Sequence, residues 1–138
     1  MQKSKVLFKK NLKSVSLNQS LSFLIYDKAL LKHSPDFKVW QKQFNFQYAV
    51  QAGESLKSLS QLDSHLKQIL KLSAGMNTRE MQFVVVGGGS VGDFGGFIAS
   101  VFKRGVWLVH IPSTWLAAID SAHGGKTALN VAGTKNQI

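Results

Sequence analysis

Cysteine is absent from the 138 residues. That excludes disulfides, thiolate metal sites, iron–sulfur clusters and cysteine nucleophiles. Long apolar runs are also missing: stretches such as Phe83 to Val86 are far too short to cross a bilayer. Met1 to Lys13 is lysine-rich, but no apolar core follows it, so it does not read as a secretory signal. The expectation is a soluble, cytoplasmic chain. Acidic residues are scarce, seven against seventeen basic ones, for a formal net charge of +10. Arginine is scarcer still, with only Arg79 and Arg104. The lysines are scattered singly or in pairs without interleaved stacking aromatics, which argues against a nucleic-acid surface. The surplus leaves a solvated basic face or attraction to a phosphate-bearing small molecule. Charged residues amount to 17% and hydrophobic ones to 44%, a globular balance rather than a disordered one.

What is present divides near residue 75. Eleven of the twelve glycines lie at or after Gly75, so the first half reads as scaffold and the second as the part that holds a site. Val6 to Phe8 could form a short edge strand. Phe23 to Tyr26 suits a buried strand, and the alternation of Phe44, Phe46, Tyr48 and Val50 marks another. Between them, residues 28–43 are compatible with a helix that Pro35 interrupts or restarts. Leu56, Leu59, Leu62, Leu66, Ile69 and Leu70 predict one amphipathic helix over 54–72, with Gly75 as its C-cap. Phe83 to Val86 predicts a strand, then a helix over about 91–103, a strand over 106–111 and a short helix over 114–121. From Lys126 onward an extended pair turning near Gly133 is expected. Strands alternating with helices predict an α/β fold, Rossmann-like, with a mostly parallel sheet and helices on both faces.

Gly87-Gly88-Gly89-Ser90-Val91-Gly92-Asp93 follows a strand and opens a helix. It satisfies G-x-G-x-x-G, where glycines admit a pyrophosphate to a helix N-terminus. It does not lie on the first strand, and no acidic residue follows about twenty positions on. A glycine-rich turn that only packs helix on sheet remains open. His123-Gly124-Gly125-Lys126-Thr127 is like the end of a Walker A loop, but Asp120 stands where that loop needs glycine. Asp120 and Lys126 could converge on one ligand or form an ordinary surface pair. Glu54 and Lys57 could favour a helix dipole or reach a ribose. His33, His65, His110 and His123 form no metal-ligand spacing, so no metal site is expected within this chain.

Together, Gly53-Glu54-Ser55-Leu56-Lys57-Ser58, the Gly87–Asp93 run, Arg104-Gly105, Pro112-Ser113-Thr114, Asp120-Ser121, Gly124-Gly125-Lys126-Thr127-Ala128, Asn130 and Lys135-Asn136 resemble the 3-dehydroquinate synthase family. Order and spacing hold from Gly87 to the end. The resemblance implies that residues 1–138 are an N-terminal NAD-binding α/β domain. The helical C-terminal domain and its zinc or cobalt ligands would lie beyond Ile138, leaving the chain inactive alone. It further implies that Asp27, Glu54 and Lys57 contact the adenine ribose. Gly88, Gly89, Ser90 and Asp93 would surround the pyrophosphate, and Ser113, Thr114 and Lys135 would line the same NAD site. Asp120 would stand beside the reacting hydroxyl. Lys126 and Asn136 would hold the substrate phosphate, with Arg104 reaching in from a neighbouring subunit of a homodimer. Asp120 and Lys126 would also border the cofactor. The implied reaction converts 3-deoxy-D-arabino-heptulosonate 7-phosphate to 3-dehydroquinate and phosphate with NAD regenerated. The alternatives are a sibling sugar-phosphate cyclase, a metal-dependent polyol dehydrogenase, or a fragment that only binds the nucleotide. The chain departs from the family pattern at Ala29, Trp115, Ala122 and His123, while Gly124-Gly125-Lys126 favours the synthase over its siblings.

Overall fold

Two short runs, Phe23 to Tyr26 and Phe83 to Val86, are almost wholly removed from solvent. Continuous apolar strands of this kind belong at the centre of a parallel sheet covered on both faces. The computed structural model, which describes residues 5–77, 79–122 and 127–138, has that sheet. Strands β1 (Ser22–Asp27), β2 (Phe46–Val50), β3 (Gln82–Gly87) and β4 (Trp107–Pro112) lie in the order β2-β1-β3-β4. Every pairing is parallel, with Phe23 opposite both Phe46 and Phe83, and Val84 opposite Val109.

Alternation along the strands divides the core in two. Phe23, Ile25, Phe83 and Val85 face helices α3 (Leu59–Leu72) and α4 (Gly89–Val101), where Ile69, Phe94 and Ile98 meet them. Leu24, Tyr26, Val84 and Val86 face the opposite side. There α1 (Leu30–His33) and α2 (Pro35–Trp40) contribute Leu30, Leu31, Phe37 and Trp40. Aromatic rings mesh on both sides: Phe83 lies 5.1 Å from Phe102, and Tyr26 lies 5.2 Å from Phe37, between ring centroids. Pro35 restarts a helix as expected. It occupies the first turn of α2, and the Ser34 hydroxyl accepts from the Phe37 amide at 3.3 Å, a capping arrangement.

Four expectations are corrected. Residues Val6 to Phe8 form no strand and are exposed, Phe8 almost completely. The stretch 54–72 is not one helix. Glu54–Lys57 is a 3-10 turn, and α3 starts only after Ser58, which has extended backbone angles. Ser58 is bridged there to Asn130, a long-range pairing that no local periodicity announces. Gly75 is not the cap of α3; Ser73 is, and Gly75 instead lies under the Phe46 ring. Helix α4 also begins two residues earlier than expected, inside the glycine run.

Glycines let α4 lie close on the sheet. A methyl added at Gly95 would stand 2.5 Å from Val85 Cγ2, and one at Gly87 would stand 2.6 Å from Val91 Cβ. Gly95→Ala should therefore lower stability by about 1–3 kcal/mol through overpacking, outweighing the roughly 1 kcal/mol that alanine gains in a helix interior. Urea unfolding would show a lower midpoint; a higher one would refute the packing argument.

His65, on α3, packs edge-on to Phe94 with ring centroids 4.9 Å apart, and its Nδ1 lies 2.8 Å from the Tyr48 hydroxyl. Burial lowers its pKa from the ordinary 6.5. The folded chain thus holds this imidazole neutral more firmly than the unfolded chain does. The stabilisation is complete above pH 6.5 and is lost as pH falls toward the lowered folded value. The thermal midpoint should drop on acidification from pH about 7.5 to 5, and His65→Gln should flatten that slope.

Candidate functional site

The order β2-β1-β3-β4 contains a reversal. From β1 the chain moves outward to β2, then returns to lay β3 on the other side of β1. In open parallel sheets, ligands bind beyond the carboxyl ends of the strands at such a point. The carboxyl ends here carry Asp27 from β1, Gly53 to Lys57 after β2, Gly87 to Asp93 after β3, and Ser113 and Thr114 after β4. Four separate sequence stretches thus reach one rim.

The turn after β3 offers an anion site at a helix N-terminus. Gly88 is the N-cap of α4 and supplies no capping side chain. The first helical bond runs from the Gly92 amide to the Gly88 carbonyl at 2.9 Å, so the amides of Gly89, Ser90 and Val91 have no acceptor within the helix. Ser90 has a different part: its hydroxyl accepts from the Gly53 amide at 3.0 Å and ties the β2 exit to α4. Gly53 adopts φ of 131°, which a side chain would strain. Ser113 donates its amide to the Gly87 carbonyl at 2.9 Å, and Thr114 caps helix α5 (Trp115–Ile119) through its hydroxyl to the Ala117 amide at 3.1 Å. A Cβ on Gly88 would stand 3.2 Å from the Thr114 methyl. Asp27 accepts from the Ala29 amide at 3.0 Å. The turn's fit to a dinucleotide thus rests on uncapped amides at the switch point, with carboxylates of Asp27 and Glu54 able to accept from hydroxyls on either side.

A second feature is Lys57, 5% exposed although it is a lysine. Its Nζ lies 2.8 Å from Asp93 Oδ2 and donates to Asn136 Oδ1 at 2.6 Å. Asn136 belongs to the C-terminal strap, residues 127–138, which folds back over the 3-10 turn. There the Asn130 amide donates to the Lys57 carbonyl at 2.7 Å, and the Asn130 side chain donates to Glu54 Oε2 at 3.0 Å. That hydrogen bond, helped by the charges of Lys57 and Lys135, holds the Glu54 carboxyl below its usual pKa. The expected turn near Gly133 is present as an antiparallel bridge between Val131 and Thr134.

Of the residues singled out from the sequence, the structure brings Lys57, Asp93 and Asn136 into direct contact and joins Glu54 to them through Asn130, with Asp27, Gly88, Gly89, Ser90, Ser113 and Thr114 along the same rim. Lys135 joins this group at the strap, its charge acting on Glu54. Asp120 is exposed at the end of α5, and its neighbour Ser121 approaches Gly89. Lys126 and His123 lie outside the described residues. Arg104 is not at the rim. It lines a cleft of about 490 Å³ at the opposite end of the sheet, with Arg79, Met81, Val106 and Trp107. Lys103 and Arg104 both have positive φ, 47° and 71°, a strained presentation for non-glycine residues. A contribution of Arg104 to the rim of its own chain is therefore excluded by its position. No group of three or more histidine, aspartate or glutamate side chains able to hold a metal occurs among the described residues.

Two residues named in the sequence reading were given no site role there. His110, on β4, fits its ring against Gly92. Its Nε2 is buried without a hydrogen-bond partner among the described residues. Burial lowers its pKa, partly opposed by the charge of Asp93. Asn130 was visible only as one letter of a motif. Its contact with Glu54 spans 76 residues of sequence, beyond any local signal.

Lys57→Met removes the partner of Asp93 and of Asn136 together. A loss of about 1–3 kcal/mol is expected for polar groups left without their bond, read by denaturant unfolding. Faster proteolysis within residues 127–138 should accompany it, and an unchanged strap would show that Lys57 does not hold it.

Comparison with known proteins gives a consistent picture. A family model described as 3-dehydroquinate synthase N-terminal matches residues 47–138. The 3-dehydroquinate synthase of Alkaliphilus oremlandii is 43% identical over 98 residues, covering 70% of this chain and 26% of that protein. The 3-dehydroquinate synthase of Dictyoglomus thermophilum is 34% identical over 133 residues, covering 96% of this chain and 36% of that one. Among solved structures, a 2-deoxy-scyllo-inosose synthase complexed with carbaglucose-6-phosphate, NAD+ and Co2+ superposes with a TM-score of 0.74 at 27% identity. That match covers 92% of this chain and 37% of that one. The chain spans between about a quarter and a third of the length of these curated relatives.

Proposed function

The chain belongs to the 3-dehydroquinate synthase family, and from that premise we propose that it is the NAD-binding part of an enzyme converting 3-deoxy-D-arabino-heptulosonate 7-phosphate to 3-dehydroquinate and phosphate. The observation that carries the reading is the rim itself. It joins an uncapped α4 N-terminus at the switch point to a buried Lys57 shared between Asp93 and Asn136. The cyclase relative with NAD+ and a sugar-phosphate analogue in its structure supports the same assignment of ligands.

In this reading the amides of Gly89, Ser90 and Val91 receive the cofactor pyrophosphate, and Gly88 leaves room for its approach. Asp27 and Glu54 accept from ribose hydroxyls, while Lys57 supplies charge between the pyrophosphate turn and the strap. Ser113, Thr114 and Lys135 border the same rim. NAD, when bound, supplies reversible hydride transfer, with its orientation set by the protein. Asp120, exposed at the end of α5, would accept the proton of a substrate hydroxyl. Asn136 and Lys126 meet the substrate phosphate, one as a neutral donor and one as a point charge. The net charge of +10 draws in both anionic ligands.

The relatives' cofactor set includes a divalent metal. The described residues offer no donor cluster for one, so no step is assigned to a metal here. Arg104, held at the far end of the sheet in a strained turn, fits a role in the site of a second copy and hence a homodimer. The chain spans about a quarter to a third of its curated relatives' length, and in this reading it is a binding unit that does not turn over alone.

Calorimetry should show NAD binding to the chain, and mixing it with the heptulosonate phosphate should release no phosphate. Absence of NAD binding would overturn the reading of the rim. Phosphate release would overturn the claim that the catalytic apparatus needs more than these residues.

A further inference from the structure

We propose that Asn130 is a positioning residue of this site, holding the Glu54 carboxylate toward the cofactor and the Asn136 side chain toward the substrate phosphate with the two ends of one amide. The proposal rests on the reading above for what Glu54 and Asn136 face, and goes beyond it in assigning how they are held.

Asn130 is fixed first by its main chain. Its N–H donates to the Lys57 carbonyl at 2.7 Å, and its carbonyl accepts from the Leu59 amide at 3.1 Å. These two bonds form the parallel bridge that opposes it to Ser58. With the backbone anchored, the side chain divides its work. Nδ2 donates to Glu54 Oε2 at 3.0 Å and more weakly to the Glu54 carbonyl at 3.4 Å. Oδ1 accepts from the Asn136 amide at 3.0 Å. Asn136 has φ of 53°, a left-handed conformation that asparagine adopts more readily than most residues, and the bond from its amide to Asn130 fixes it there. In that conformation its own Oδ1 receives the Lys57 ammonium. One amide therefore orients an acceptor on the cofactor side and a polar side chain on the substrate side.

Chemistry restricts the residue at this position. A donor and an acceptor are required on opposite ends of a short planar group. Aspartate supplies no donor when ionised, and alanine supplies neither. Aspartate would in addition set a second carboxylate against Glu54, so that the two compete for one proton. The lowered Glu54 pKa, caused first by the Asn130 hydrogen bond, agrees with this geometry.

Asn130→Asp and Asn130→Ala in the 138-residue chain test the proposal in two ways. The first needs no ligand: the Glu54 carboxyl is titrated by carbon-13 NMR. Its midpoint should rise in Asn130→Ala and rise further in Asn130→Asp; a midpoint unchanged in both variants overturns the proposal. The second is NAD affinity by calorimetry. Both variants should bind about tenfold more weakly at neutral pH, the size of one hydrogen bond to a charged group. Asn130→Asp alone should regain affinity as acidification protonates the new carboxyl and restores a donor. A structural defect would not give that pH profile, and equal affinity in all three proteins overturns the proposal. If the parent chain binds no NAD, the reading of the rim fails while the titration still decides Asn130. If neither variant folds, the parent chain decides: its Asn136 amide should exchange slowly with deuterated solvent, and free exchange overturns the proposal.

Discussion

An ammonium group taken out of water must be paired, because the desolvation penalty of an unpaired buried ion amounts to several kcal/mol. Lys57 is in that position, and its two partners come from opposite ends of the second half of the chain. Asp93 arrives on the first turns of α4 and Asn136 on the C-terminal strap. Satisfying one lysine therefore fixes three things together: the 3-10 turn after β2, the direction of α4, and the return of the strap across both. The break between Glu54–Lys57 and α3 belongs to the same constraint. Ser58 must leave helical angles to accept Asn130 alongside it. A continuous helix would deny the strap its edge.

The glycine run shows two demands met by one residue type. Gly88 and Gly89 form the turn that leaves amides free at the helix start. Gly87, Gly92 and Gly95 have a different use, since any side chain there would collide with Val91, His110 or Val85. Lowering α4 onto β3 and β4 in this way places its first turn directly at the carboxyl end of β3. A turn that leaves amides free and a turn that packs helix on sheet are thus not competing explanations of Gly87 to Asp93. The close approach of helix to sheet is what puts the free amides where a ligand at the switch point can reach them.

Arg104 shows what a resemblance alone does not determine. Its motif position implies a substrate contact in a neighbouring subunit, and its strand end is the far one from the rim of its own chain. The consecutive left-handed residues Lys103 and Arg104 present that side chain away from its own chain's site. Arg104 and Lys57 thus lie at opposite ends of the sheet.

Much of the fold was legible in the sequence because it is local. Phe23 to Tyr26 and Phe83 to Val86 read as strands from composition, their alternation with helices read as a parallel sheet, and spacing marked a helix over 54–72 of which only Leu59–Leu72 is one. Where periodicity was ambiguous, as over Val6 to Phe8, the apolar residues found nothing to pack against and formed no strand. The family, and with it the positions of Glu54, Lys57, Asp93 and Asn136, was also carried by the sequence, through motif order. What the sequence could not contain is the meeting of those residues. Asn130 and Glu54 are 76 positions apart, Lys57 and Asn136 are 79 apart, and neither pair leaves a periodic trace. Strand order, the reversal at β1 and β3, the placing of Arg104 at the opposite end and the central part of Asn130 were decided by tertiary structure. A hydrogen bond depends on proximity in space, and only the closed chain supplies it.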